Sequence, residues 1–168
     1  MFTNHYEKAI GHWLIDNQVR YVEVDEKKRA AFGRAKVKSF DYLVYPPNQP
    51  PIVAEIKGKK FEGASLAGLK GLECWVTLDD IEGLGNWQKV FGHGYCAAFI
   101  FVYWLEGVDV DCDGRSVYFY DGRNYVFFAV RLEDYIAEMK IRSPKWQTVT
   151  LSADGFRKYA VQLQSLFV

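Results

Sequence analysis

Apolar residues recur at steps of three and four between Asn4 and Gln18, at Tyr6, Ala9, Ile10, Trp13 and Leu14, which predicts a helix with one buried face. Asn4 followed by Glu7 has the form of a capping box that starts it. The period then drops to two. "VRYVEVD" alternates like a half-buried strand, "EKKRAAFGR" is a turn-rich connection, and "SFDYLVY" is a second strand. The prolines of "PPNQPP" break the chain before a third strand, "IVAEIK", predicted to pair with the second as a hairpin.

After the glycines of "GASLAGLKGL", helical spacing returns at Leu78, Ile81, Leu84, Trp87 and Phe91, with Thr77 to cap the helix and Gly92 to end it. "AAFIFVYW" is apolar on both alternating sets, as expected of a strand covered on both faces. A right-handed helical crossover would place it parallel to the third strand. "SVYFYDGRNYVFFAV" reads as a hairpin turning at Asp121 and Gly122. A short helix from Glu133 to Lys140, a strand "WQTVTLS" and a closing helix with Phe156, Tyr159, Ala160, Leu163 and Phe167 on one face complete the reading. The expected fold is α/β: a central mixed sheet flanked by helices, in one domain covering residues 1–168, without repeat or linker.

Composition narrows the function classes. Hydrophobic residues make up 49% and charged residues 25%, without long like-charged blocks, which is the balance of a globular chain. The formal net charge of zero disfavours a chain that coats nucleic acid everywhere, but leaves room for a local basic face. Cys74, Cys96 and Cys112 are odd in number and widely spaced, so neither a disulfide framework nor a zinc knuckle follows. The opening "MFTNHYEKAI" lacks a signal-peptide core and "YCAAFIFVYWL" is too short to span a bilayer. The expectation is a soluble protein of the reducing cytoplasm with no membrane partner.

The chemistry concentrates on the second and third strands. Glu55 and Lys57 are two residues apart and therefore share one face of a strand. If the hairpin register sets Asp41 opposite Glu55, strands about 4.8 Å apart bring both carboxylates within reach of one hard cation. Magnesium, or manganese in its place, takes such oxygen ligands while keeping several waters, and the Ile56 carbonyl is a natural further ligand. An ammonium beside that ion, Lys57, suits phosphodiester hydrolysis.

At these residues the sequence resembles the PD-(D/E)XK nuclease superfamily, the restriction-endonuclease-like fold. The resemblance rests on "FD" at Phe40 and Asp41, thirteen intervening residues, then "EIK" at Glu55 to Lys57, in the order helix, three strands, helix, strand. It covers about residues 5 to 105, and Phe40 stands where the family usually has proline. It implies metal ligation by Asp41 and Glu55, water activation by Lys57, and a nuclease whose partner is nucleic acid, with DNA the expected substrate. Some members, Holliday-junction resolvases among them, add an acidic residue from the first helix, and Glu7 sits where that ligand would come. Many place a polar residue on the helix after the third strand, the position of Gln88. "NHYEKAIGHWL", "YVEVDEKKRA" and "WQKVFG" also resemble an uncharacterised bacterial branch, the HYAIK type, which brings no substrate with it.

Plainer roles compete for several of these residues. Glu7 closes a capping box without any metal, an amphipathic surface explains Gln88, and Asp79 and Asp80 serve the positive end of the second helix. Lys27, Lys28, Arg29, Arg34, Lys36 and Lys38, with Lys59 and Lys60 after the third strand, could neutralise phosphates or simply meet solvent. "DVDCDG" imitates an EF-hand start, but Tyr120 occupies the twelfth position and strands flank it, so a turn is expected. Two alternatives to a nuclease stay open: a non-cleaving nucleic-acid-binding or protein-interaction module on the same fold, and a calcium- or protein-binding domain in which the carboxylates are structural. Oligomeric state, a homodimer included, is left open.

Overall fold

The computed structural model describes residues 4–24, 31–32, 35–36, 38–63, 65–107 and 116–167. The first helix, α1 (His5–Asp16), starts where Asn4 accepts the Glu7 amide at 2.9 Å. Strands β1 (Arg20–Glu23), β4 (Tyr42–Tyr45) and β5 (Ile52–Phe61) follow, with a small hairpin of β2 (Ala31–Phe32) and β3 (Ala35–Lys36) between the first two. A short strand, β6 (Val76–Thr77), leads into α2 (Leu78–Phe91), and the chain then enters β7 (Cys96–Leu105). The hairpin β8 (Tyr118–Tyr120) and β9 (Arg123–Arg131) turns at Asp121 and Gly122, both with positive φ. After it come α3 (Leu132–Glu138), β10 (Lys140–Ser143), β11 (Thr148–Thr150), α4 (Ala153–Tyr159) and β12 (Val161–Gln162).

The main sheet runs in the order β1, β4, β5, β7, β9, β12, with β8 paired to β9. Strands β4 and β5 are antiparallel, while β5 and β7 are parallel across the α2 crossover, as the sequence predicts. Alternation along the strands divides the core into two layers. Val53, Phe99, Phe101 and Phe128 pack with Leu84 of α2, Leu132 and Tyr135 of α3 and Phe156 of α4. Ala54, Ile56, Ile100 and Phe127 pack instead with Ile10, Trp13 and Leu14 of α1. Helices thus cover both faces, which is why "AAFIFVYW" has no polar side.

Three stretches depart from the sequence reading. The closing helix ends at Tyr159, because Val161 and Gln162 pair with Ala129 and Phe128 and cover the edge of β9; Leu163–Phe167 then forms a 3-10 turn. The preceding short helix ends at Glu138, and Lys140–Ser143 is a strand. That strand belongs to a second sheet, β10, β11, β6, whose members are too short for their periodicity to announce them. Among the described residues no helix is long and apolar enough to cross a membrane.

Candidate active site

The antiparallel register of β4 and β5 pairs Val44 with Ile52, Leu43 with Val53 and Tyr42 with Ala54. Asp41 lies just beyond this ladder and extends it by other means. Its amide donates to the Ala54 carbonyl at 3.0 Å, its carbonyl accepts from the Val24 amide at 2.9 Å, and its Oδ2 accepts from the Ile56 amide at 2.6 Å. The Asp41 side chain thus accepts an amide of the peptide that follows Glu55. Both Asp41 and Glu55 are only 8% exposed, so these two carboxyl groups are kept out of bulk water at the end of the hairpin. Glu55 and Lys57 occupy the positions alternate to Ala54 and Ile56, on the side of Val53 and α2.

The second helix supplies a third carboxylate. Asp80 closes a capping box with Thr77: the Thr77 amide donates to Asp80 Oδ2 and the Asp80 amide to Thr77 Oγ1, each at 3.0 Å. The same carboxylate reaches across to the sheet. Lys57 Nζ is 2.7 Å from Asp80 Oδ2, and Lys38 Nζ donates to Asp80 Oδ1. Both ammonium groups also approach Glu55 Oε1, Lys57 at 3.6 Å and Lys38 at 3.8 Å. Two cations therefore lie between two buried anions. Burial alone would push the Asp80 carboxyl up, but the Lys57 charge and the hydrogen bonds from Lys38, Lys57 and the Thr77 amide outweigh it and hold it at about 2. For Lys38, burial pulls the ammonium down, and the Asp80 hydrogen bond with the Glu55, Asp80 and Asp41 charges raises it above its ordinary value. Trp87 Nε1 donates to the Lys38 carbonyl at 2.6 Å, tying this segment to α2.

Asp80 reads in the sequence as a helix cap, and it is one. Its further role as anchor for Lys38 and Lys57 depends on contacts across the fold that no local spacing announces. Lys38, expected on a phosphate-binding face, is instead engaged with Asp80 and Glu55.

The structure does not bring Gln88 to this cluster. Its Oε1 accepts from the Ala97 amide at 2.5 Å, and its Nε2 donates to the Tyr95 and Gly92 carbonyls at 2.7 and 3.1 Å. All of this ties the end of α2 to the start of β7, about 12 Å along the helix from Asp80. Glu7 stands on α1, which packs on the opposite face of the sheet, and its Oε1 accepts from Asn4 Nδ2 at 3.2 Å. Its charge, with those of Glu23 and Asp41, reaches the hydroxyl of Tyr42, whose ionisation burial already opposes. Lys27, Lys28, Arg29 and Arg34 lie outside the described residues, as does the EF-hand-like stretch, and Lys36 is in β3. Lys60 pairs with Glu62 at 3.1 Å and with Glu106, so it is neutralised locally. Lys59 lies 3.4 Å from the centre of the Trp75 ring.

These residues fit a hydrated hard cation. Among the described residues no three His, Cys, Asp or Glu side chains converge as a ready-made metal centre. Asp41, Glu55 and the Ile56 carbonyl nevertheless offer only oxygen donors, the set magnesium accepts while keeping several waters. The Tyr42 hydroxyl, buried without a hydrogen-bond partner, lies in the layer that packs on α1, so the fit rests on the oxygen donors themselves.

No family model matches the chain, and no curated protein matches it in sequence. Among solved structures it is similar to Hjc, a Holliday junction resolvase from the archaeal hyperthermophile Archaeoglobus fulgidus, with a TM-score of 0.54 at 12% identity. The match covers 97% of this chain and 98% of that one, so the restriction-endonuclease-like fold extends through the region after residue 105.

Proposed function

We propose that this protein is a magnesium-dependent nuclease that hydrolyses phosphodiester bonds in DNA. The observation that carries the reading is Asp41 Oδ2 on the Ile56 amide at 2.6 Å, which puts this carboxylate beside the strand that bears Glu55 and Lys57. The fold shared with a junction resolvase supports the same reaction class. Asp41, Glu55 and the Ile56 carbonyl would hold the ion. Bound there, magnesium supplies a water of lowered pKa and positive charge for the phosphate. Lys57 holds its ammonium within reach of Glu55 Oε1, where it can orient the attacking water and meet charge that grows on the phosphate in the transition state. Asp80 fixes that ammonium and is a positioning residue. Lys38 adds a second cation to the same side.

The test is cleavage of labelled duplex, single-stranded and four-way-junction DNA with magnesium, manganese or chelator present. Metal-dependent cleavage that Asp41→Asn abolishes is the expected result; no cleavage of any form by the parent overturns the reading. One observation favours a second reading, a non-cleaving DNA-binding module: Lys57 lies nearer to Asp80 than to Glu55, engaged in an ion pair that needs no reaction. Metal-independent DNA binding without cleavage is the outcome that selects it.

A further inference from the structure

The region after residue 105 carries a feature that the site above does not use. Between Met139 and Ala153 the chain reads "KIRSPKWQTVTLS", with three cations and no carboxylate. Its first part is the hairpin of β10 and β11, joined by the turn at 144–147, where Gln147 takes positive φ. The turn is tightly tied: the Trp146 amide donates to Ser143 Oγ and the Gln147 amide to the Pro144 carbonyl, both at 3.3 Å. Two large apolar side chains nevertheless face solvent here, Ile141 at 72% and Trp146 at 69% exposure. Lysine and arginine on an edge strand can serve to block pairing with another chain. That explanation does not extend to an exposed tryptophan at the tip of an ordered turn.

The position of the hairpin gives these residues a direction. Strand β11 pairs with β6, Thr148 opposite Thr77, and the Gln147 carbonyl accepts from the Leu78 amide at 2.9 Å. The hairpin is therefore fastened to the start of α2, beside the Asp80 that anchors Lys57. A second link runs along β5: Lys57 and Lys59 share a face, and Lys59 Nζ lies over the Trp75 ring. The Arg142 guanidinium lies over the same ring at 4.8 Å. Arg142 is the extra residue of a bulge between the Ile141 and Ser143 pairings, a device that re-aims a side chain. Beyond it stand Lys145 and Trp146, with the Lys145 ammonium 5.3 Å from the Trp146 ring centre. Among the described residues, the carboxylates of Glu73 and Asp80 oppose the lowering of Lys59 by burial and by the Lys57 and Arg142 charges.

We propose that this hairpin is the binding element for an unpaired strand of the DNA substrate. Its cations Arg142 and Lys145, with Lys59 of β5 sharing the Trp75 ring with Arg142, neutralise phosphates along a path that leads away from the Lys57 site, and Trp146 stacks on an exposed base. A positive groove with an aromatic platform is the arrangement that holds single strands, because every base has a face to stack while its phosphates need only charge. The proposal rests on the DNA reading of the site but not on cleavage.

The experiment is fluorescence anisotropy with labelled single-stranded and fully duplex oligonucleotides, without divalent metal, over a range of potassium chloride. Trp146→Ala weakens single-strand binding about tenfold and duplex binding less than twofold, while Trp146→Phe keeps most of the affinity. Arg142→Gln with Lys145→Gln flattens the log-log salt slope for single strands by about 1.4 units. Circular dichroism and melting temperature of all variants match the parent, since these side chains are exposed. Single-strand affinity unchanged by Trp146→Ala, or equal losses on both DNA forms, overturns the proposal. A parent that binds through the hairpin but cuts nothing refutes the nuclease reading alone, and a parent that binds no DNA refutes both.

Discussion

Lys57 lies 2.7 Å from Asp80 and 3.6 Å from Glu55, so the lysine of the strand motif takes its nearest counter-ion from the helix opposite. Its charge is thereby fixed beside the carboxylate pair proposed to hold the ion. Lys57→Ala should lower cleavage at least a hundredfold yet leave magnesium affinity, read by calorimetry, within about threefold of the parent. Equal loss of both would make Lys57 part of the ion site.

Asp41 has a structural duty besides its proposed one. Asp41→Asn keeps an oxygen that can accept from the Ile56 amide, whereas Asp41→Ala strands that buried donor at a cost of about 1 to 3 kcal/mol. Both variants should lose metal-dependent cleavage, and denaturant titration should find only the alanine variant clearly destabilised.

Asp80 should write itself into the acid stability of the fold. Its folded value of about 2 lies below the ordinary 3.8, so its contribution is full above pH 4 and disappears as pH falls through 2. The size is about 2 kcal/mol. Urea titrations of the parent and Asp80→Asn should converge between pH 4 and pH 2, and a constant gap across that window would contradict the assignment.

Gln88 gives the opposite expectation. Its side chain holds the Ala97 amide and two carbonyls at the end of α2, so Gln88→Ala should cost about 2 kcal/mol in stability. Cleavage per folded molecule, measured well below the melting temperature, should stay within twofold of the parent.

Lys59 supplies a pH signature. Burial, then the charges of Lys57 and Arg142, pull its ammonium down to about 8 against the opposing effects of Glu73 and Asp80. It is charged at pH 7 and largely neutral at pH 9. The salt dependence of DNA binding should lose most of one unit of slope across that range, and Lys59→Gln should remove the change.

What the sequence makes legible follows from the range of the forces involved. The third strand and the apolar run after α2 are readable because alternation and burial are properties of neighbouring residues, and so is the Thr77 cap. The approach of Asp41 to the "EIK" peptide is within reach of sequence reasoning because one hairpin joins the two. The Lys38 to Asp80 contact spans 42 positions and depends on how α2 lies on the sheet, which nothing local encodes. Lys140–Ser143 carries a single apolar residue and Val76–Thr77 is two residues long, so both become strands through the partners that tertiary packing brings them. The end of the last helix is set in the same way, by an unpaired edge of β9 competing for Val161 and Gln162.

The bond from the Ile56 amide to Asp41 Oδ2 makes one backbone proton a reporter on the site. A main-chain carbonyl in that place would be indifferent to ions, but a carboxylate oxygen redistributes its electron density when a cation arrives. The nitrogen and proton resonances of Ile56 should therefore move with metal occupancy while those of Val53 and Ala54, held within the regular part of the ladder, stay nearly still. Binding can then be followed at a single named position in the intact protein, in the absence of any nucleic acid and independently of whether a bond is ever cut.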